Sequence, residues 1–129
     1  MKIEHFALQV ADPAAMSAWY VEHLGCLVAR VAGGPSSMHF LRDSAGTSLL
    51  ELYRNARVAV PDYASMDPML VHVAFVSDDP AADRDRLVAA GATIAEDLVR
   101  TAAGDELVML RDPWGVALQL ARRVQPMHR

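Results

Sequence analysis

The chain has a single cysteine, Cys26, among its 129 residues. An internal disulfide is therefore excluded, and one thiol suits a reducing compartment. Cys26 is expected to pack as a small apolar residue at the start of a strand rather than to react. The N-terminus lacks a long apolar run, so neither a signal peptide nor a membrane span is expected, and the cytoplasm is the expected location. A large excess of one charge is missing too. A net charge of −4 leaves no footprint for nucleic acid or an anionic membrane, and neither is expected as a partner. The tail from Arg122 onward is basic but short, and reads as a solvated end. No phosphate-binding glycine loop, dinucleotide fingerprint or serine-centred nucleophile elbow is present. What remains is globular, with 53% hydrophobic and 22% charged residues, enough for one compact domain or two small repeats sharing a core.

The repeat is visible directly. Ile3-Glu4-His5-Phe6-Ala7 through Asp12-Pro13-Ala14-Ala15 returns as Leu70-Val71-His72-Val73-Ala74 through Asp79-Pro80-Ala81-Ala82. A second echo links Leu41-Arg42-Asp43, Gly46 and Leu50-Glu51-Leu52 to Leu110-Arg111-Asp112, Gly115 and Leu118-Gln119-Leu120, with one residue of slippage after the glycine. Two copies of one unit follow, each opening on a strand His and closing on a strand Glu or Gln.

Alternation over residues 2–10 predicts a strand, with His5, Ala7 and Gln9 on one face. Asp12-Pro13 is a helix start, and Leu24-Gly25 is its exit through a glycine cap. Strands are expected over 26–32, 37–43 and 47–53, with turns at Gly33-Gly34-Pro35-Ser36 and from Asp43 to Gly46. Residues 54–68 show no sustained period and read as a linker, or a lid over a cavity. The second copy predicts a strand at 69–77, a helix at 79–90 ended by Gly91, and strands at 92–99, 106–111 and 115–122. The helix has a poor apolar stripe, and its assignment rests on the cap and the repeat. Asp112-Pro113-Trp114-Gly115 signals a tight turn. The expected fold is α+β: two βαβββ modules (about 1–54 and about 69–123, joined by a linker of about 55–68) forming one domain, an incomplete eight-stranded barrel with the helices outside.

Strand periodicity groups the polar residues with small neighbours: His5 with Ala7, His72 with Ala74, Gln119 with Ala117. A core built for packing would place Leu or Ile there, so small side chains imply a cavity with polar groups on its wall. Two imidazoles and the Glu51 carboxylate suit Zn, Fe, Mn, Co or Ni ions, with the Gln119 amide oxygen as a weak fourth ligand. Glu51 lies among Leu49, Leu50 and Leu52, where an unpaired carboxylate is costly, so it needs a cation or exposure. An inward His can equally be a hydrogen-bonded core residue. Weaker candidates are Tyr53, which shares the Glu51 face and could bond a substrate oxygen, and His39, which could point to either face. His23 reads as packed or exposed on its helix. Trp114 reads as a cover, and Arg42 and Arg111 as turn-local ion pairs with Asp43 and Asp112.

At His5, Glu51, His72 and Gln119, and in Asp112-Pro113-Trp114-Gly115, the chain resembles the vicinal oxygen chelate superfamily, which includes glyoxalase I, methylmalonyl-CoA epimerase, extradiol dioxygenases and bleomycin-binding proteins. The resemblance implies one divalent metal ion held at those four positions, with two oxygens of a small substrate completing its shell, and commonly a homodimer. Gln119 departs from the family's usual Glu. That counts against the ring-cleaving chemistry of the dioxygenase members, and leaves Glu51 as the sole candidate base among the four. The expected function is a glyoxalase-like lyase or isomerase in which the metal acts as a Lewis acid. The alternative is a binding protein of the bleomycin-resistance type that sequesters a small ligand, and an extradiol-type dioxygenase ranks below both.

Overall fold

In the computed structural model, residues 1–34, 37–47 and 49–127 are described. Pro35 and Ser36 of the first expected turn, Ser48 of an expected strand, and the last two residues of the tail lie outside them. The chain divides into two compact units, Met1–Pro61 and Asp62–Arg129. Among the described residues no helix is long and apolar enough to cross a membrane.

The first unit contains β1 (Phe6–Gln9), α1 (Pro13–Leu24), β2 (Leu27–Ala32), β3 (Met38–Arg42) and β4 (Leu49–Tyr53). Its sheet has the order β1-β4-β3-β2, with β1 parallel to β4 and the other pairs antiparallel. α1 begins as its sequence dictates: the Asp12 carboxylate accepts from the Ala15 N–H at 3.0 Å, and Pro13 occupies the first turn. It ends at Gly25, whose φ of 68° needs no Cβ-bearing residue to enter the left-handed region. Met16 and Tyr20 of the helix are fully buried, as are Leu8, Leu41 and Leu52 of the sheet face that α1 covers.

The second unit repeats the plan with β5 (His72–Val76), α2 (Pro80–Ala89), β6 (Thr93–Arg100), β7 (Glu106–Arg111) and β8 (Ala117–Arg122), in the sheet order β5-β8-β7-β6. The duplication extends to register. Ala7 pairs with Glu51 as Ala74 pairs with Gln119, and Phe40 pairs with Glu51 as Met109 pairs with Gln119. The edge-strand irregularity recurs as well, with an extra residue at Ala29 in β2 and at Ala95 in β6, and β6 has a second register shift between Glu96 and Val99. The fold is thus α+β, two βαβββ modules each with its own four-stranded sheet.

α2 has little apolar surface to bury, and only Pro80 and Leu87 are buried along it. Polar ties supplement them: the Ser77 hydroxyl donates to Asp83 at 2.6 Å, and Arg84 donates to Asp97 of β6 at 2.6 Å. The helix stops at Ala89, with Ala90 as its cap at φ −88°, so the expected exit at Gly91 falls one residue beyond the cap.

Candidate metal centre

In the first module, β4 carries Glu51 on the face opposite the buried Leu52, and parallel pairing sets Ala7 beside it. His5 immediately precedes β1, which starts one residue later. The His5 ring packs edge-on against Phe40, the cross-strand partner of Glu51, with centroids 5.6 Å apart. Its Nε2 lies 3.1 Å from Glu51 Oε2, while Nδ1 bonds to the Glu4 carboxylate. An ionised carboxylate only accepts, so each ring nitrogen must present a proton, or a cation must stand at Nε2. The bond to Glu4 foremost, then the charges of Glu4 and Glu51, raise the His5 pKa above the ordinary histidine value, against the opposing desolvation of the ring.

In the second module, Gln119 of β8 lies between Ala74 and Met109, and His72 opens β5 opposite Ala117. The His72 ring meets the Pro68 carbonyl through Nδ1 at 3.1 Å. A carbonyl cannot donate, so Nδ1 carries hydrogen and the lone pair of the neutral ring is on Nε2. Among the described residues no hydrogen bond reaches the half-buried Gln119 amide.

These donors fit a divalent ion chemically. Two ligand atoms each about 2.1 Å from one ion, at angles between octahedral and tetrahedral, lie about 3.0–3.4 Å apart. The His5–Glu51 separation of 3.1 Å falls in that range, and equally serves a hydrogen bond when the ring is protonated. Among the described residues, however, no three of His, Cys, Asp and Glu gather as a metal set. The structure therefore brings together His5 with Glu51, and leaves His72 and Gln119 to be considered in the second module.

The lesser candidates separate. Tyr53 shares the Glu51 face, paired with Gln9 and Met38. His39 pairs with Leu52 and so belongs to the helix-covered face, away from Glu51. His23 stacks on Trp19 of α1, centroids 5.2 Å apart. Gln9 shares the His5 face but is committed elsewhere: its amide donates to the Asn55 and Val58 carbonyls, both at 2.8 Å, and accepts from the Asn55 N–H at 2.9 Å.

A model of the Glyoxalase/Bleomycin resistance protein/Dioxygenase superfamily matches residues 2–120. The chain belongs to this superfamily. Among curated proteins none matches the sequence significantly. Among solved structures the chain is similar to SMU.1112c, at 26% identity and a TM-score of 0.74, with 95% of this chain and 98% of that one covered. It is similar in fold to TnmS3, an antibiotic-binding protein from Streptomyces sp. CB03234, at 20% identity, TM-score 0.71 and 93% coverage of both chains. It is also similar in fold to a glyoxalase I variant from Zea mays, at 22% identity and TM-score 0.76, covering 96% of this chain and 46% of that one. At such identities the last two comparisons establish the fold alone.

Proposed function

We propose that this superfamily member is a divalent-metal-dependent enzyme of the glyoxalase type, acting on a small molecule with two neighbouring oxygens, such as an α-hydroxy or α-keto carbonyl. His5, Glu51, His72 and Gln119 are the proposed ligands. The observation that supports this most is the facing pair of His5 Nε2 and Glu51 Oε2 at 3.1 Å, a spacing suited to two donors of one ion. The Pro68 carbonyl supports it further by reserving the Nε2 lone pair of His72. When bound, the ion would supply Lewis-acid polarisation of a substrate oxygen. Glu51 is the proposed base, since the Gln119 amide cannot take a proton; its carboxylate would leave the ion to take the proton from the substrate carbon. Tyr53, on the same face as Glu51, is the proposed partner of a substrate oxygen.

Elemental analysis of protein purified without chelator tests the reading. Near-stoichiometric metal, lost in His5→Ala and His72→Ala, is the expected result. Glu51→Gln should keep the fold and abolish turnover. Metal that is sub-stoichiometric and cannot be restored by added Zn²⁺, Ni²⁺, Mn²⁺ or Fe²⁺ would refute metal dependence and favour a small-molecule binding protein of the kind TnmS3 represents in this fold.

A further inference from the structure

The segment between the two repeats ends in a run of turns. Ser65 N–H donates to the Asp62 carbonyl, Met66 N–H to Tyr63, and Leu70 N–H to Asp67, while the Asp67 side chain accepts from the Met69 N–H at 2.8 Å. Backbone of this kind has no ladder to fix it, so its position depends on what reaches it from outside. Arg111, at the end of β7, does so. Its Nη1 donates to the Tyr63 carbonyl at 2.8 Å and to the Gly115 carbonyl at 3.1 Å, and its Nη2 donates to the Met66 carbonyl at 2.6 Å. The turn-local ion pair expected of Arg111 gives way to a planar fork spread over three main-chain oxygens, a geometry a lysine cannot reproduce. On the other side, Gly115 stands so close that a Cβ there would lie 2.7 Å from the Ala64 nitrogen. Two residues after Met66, the Pro68 carbonyl meets His72 Nδ1.

We propose that Arg111 is a positioning residue for His72. By fixing the carbonyls at Tyr63 and Met66, it holds the Pro68 carbonyl where it selects the Nδ1–H tautomer and the ring orientation, which leaves Nε2 to bind a divalent cation. The inference concerns the imidazole in the metal-free protein, and its use in metal binding rests on the function proposed above. Arg42, the repeat counterpart, is exposed on the end of β3, and in that module the histidine Nδ1 is served by Glu4 instead. The anchoring device therefore belongs to the second module.

The test is nitrogen NMR of histidine-labelled, metal-free protein, in which the two neutral tautomers and the imidazolium each give distinct shifts. Wild type should show His72 as Nδ1–H. Arg111→Ala should shift His72 towards the Nε2–H form common in free imidazoles, and Arg111→Lys should fall between. Zn²⁺ affinity, measured by chelator competition on the same samples, should weaken roughly tenfold in Arg111→Ala, the lower range for loss of a support behind a metal ligand. A folded Arg111→Ala that keeps the wild-type tautomer overturns the proposal. If Arg111→Ala does not fold, the lysine variant decides: an unchanged tautomer overturns it, and a shifted one supports it. A shifted tautomer in protein that binds no metal in any form supports the positioning role and refutes the metal-dependent function.

Discussion

Gly46 and Gly115 are matched residues of the duplicated turn, and replacing each by alanine separates two costs that are usually confounded. Both accept the same local geometry: the Gly46 N–H donates to the Asp43 carbonyl at 3.0 Å and the Gly115 N–H to the Asp112 carbonyl at 2.9 Å. Both have positive φ, 72° and 88°. A Cβ on Gly46 would meet nothing within 4 Å, so Gly46→Ala costs only the left-handed conformation, about 1 kcal/mol. A Cβ on Gly115 would lie 2.7 Å from the Ala64 nitrogen and 3.0 Å from its Cα, both main-chain atoms. Relief requires moving a segment that Arg111 also holds, so an overpacking cost of about 2 kcal/mol adds to the first, giving about 3 kcal/mol in all. Urea denaturation of wild type and the two variants, followed by far-ultraviolet circular dichroism, measures the difference. Equal losses in the two variants, at unchanged slopes with denaturant, would refute the close approach of residues 64 and 115.

Three further outcomes are expected. Burial foremost, with the nearby Asp43 charge adding to it, raises the Cys26 thiol from 9.0 to about 11. Cys26 should therefore resist a thiol reagent at neutral pH and label rapidly once unfolded; the stability it confers is present below pH 9.0 and lost as pH rises towards about 11. Ser77→Ala removes the 2.6 Å bond to Asp83, and a loss of about 1–2 kcal/mol in urea titration is expected, against no change if that bond is merely superficial. Gln119→Glu adds a carboxylate to the proposed ligand set. Even with water-like screening a charge about 4 Å from a divalent ion contributes about 2 kcal/mol, so competition assays should show Zn²⁺ binding at least about tenfold tighter, and unchanged affinity would remove residue 119 from the set.

The modules were legible because their signals are local and occur twice. Asp12-Pro13 and Asp79-Pro80 each place a side-chain acceptor before a residue lacking an N–H, and both carboxylates cap their helices at 3.0 Å. The weak apolar stripe of α2 hides its existence from periodicity, and the repeat supplies what the period lacks. Alternation placed Glu51 and Tyr53 on one face because the side-chain period of a strand is fixed. It could not place His39, since that requires knowing which residue of β4 stands opposite, and register is a property of two strands. Alternation gives Gln9 its face but not its role. Its partners Asn55 and Val58 lie in a segment without periodicity, and the bonds are to main-chain atoms, which leave no mark in residue identity.

The same reasoning explains why the two histidines are matched in sequence yet supported differently. Duplication preserves strand register faithfully, because slipping by one residue turns every side chain to the wrong face. Connections face no such constraint. Glu4 beside His5 is a side-chain acceptor that a single substitution can remove, whereas His72 relies on a carbonyl that no substitution at Pro68 deletes. Control over His72 therefore passes to whatever positions that backbone, which here is Arg111 together with the absent Cβ of Gly115. Residues that look like turn furniture in a sequence acquire influence over a candidate ligand only when the chain is folded, and in only one of the two repeats.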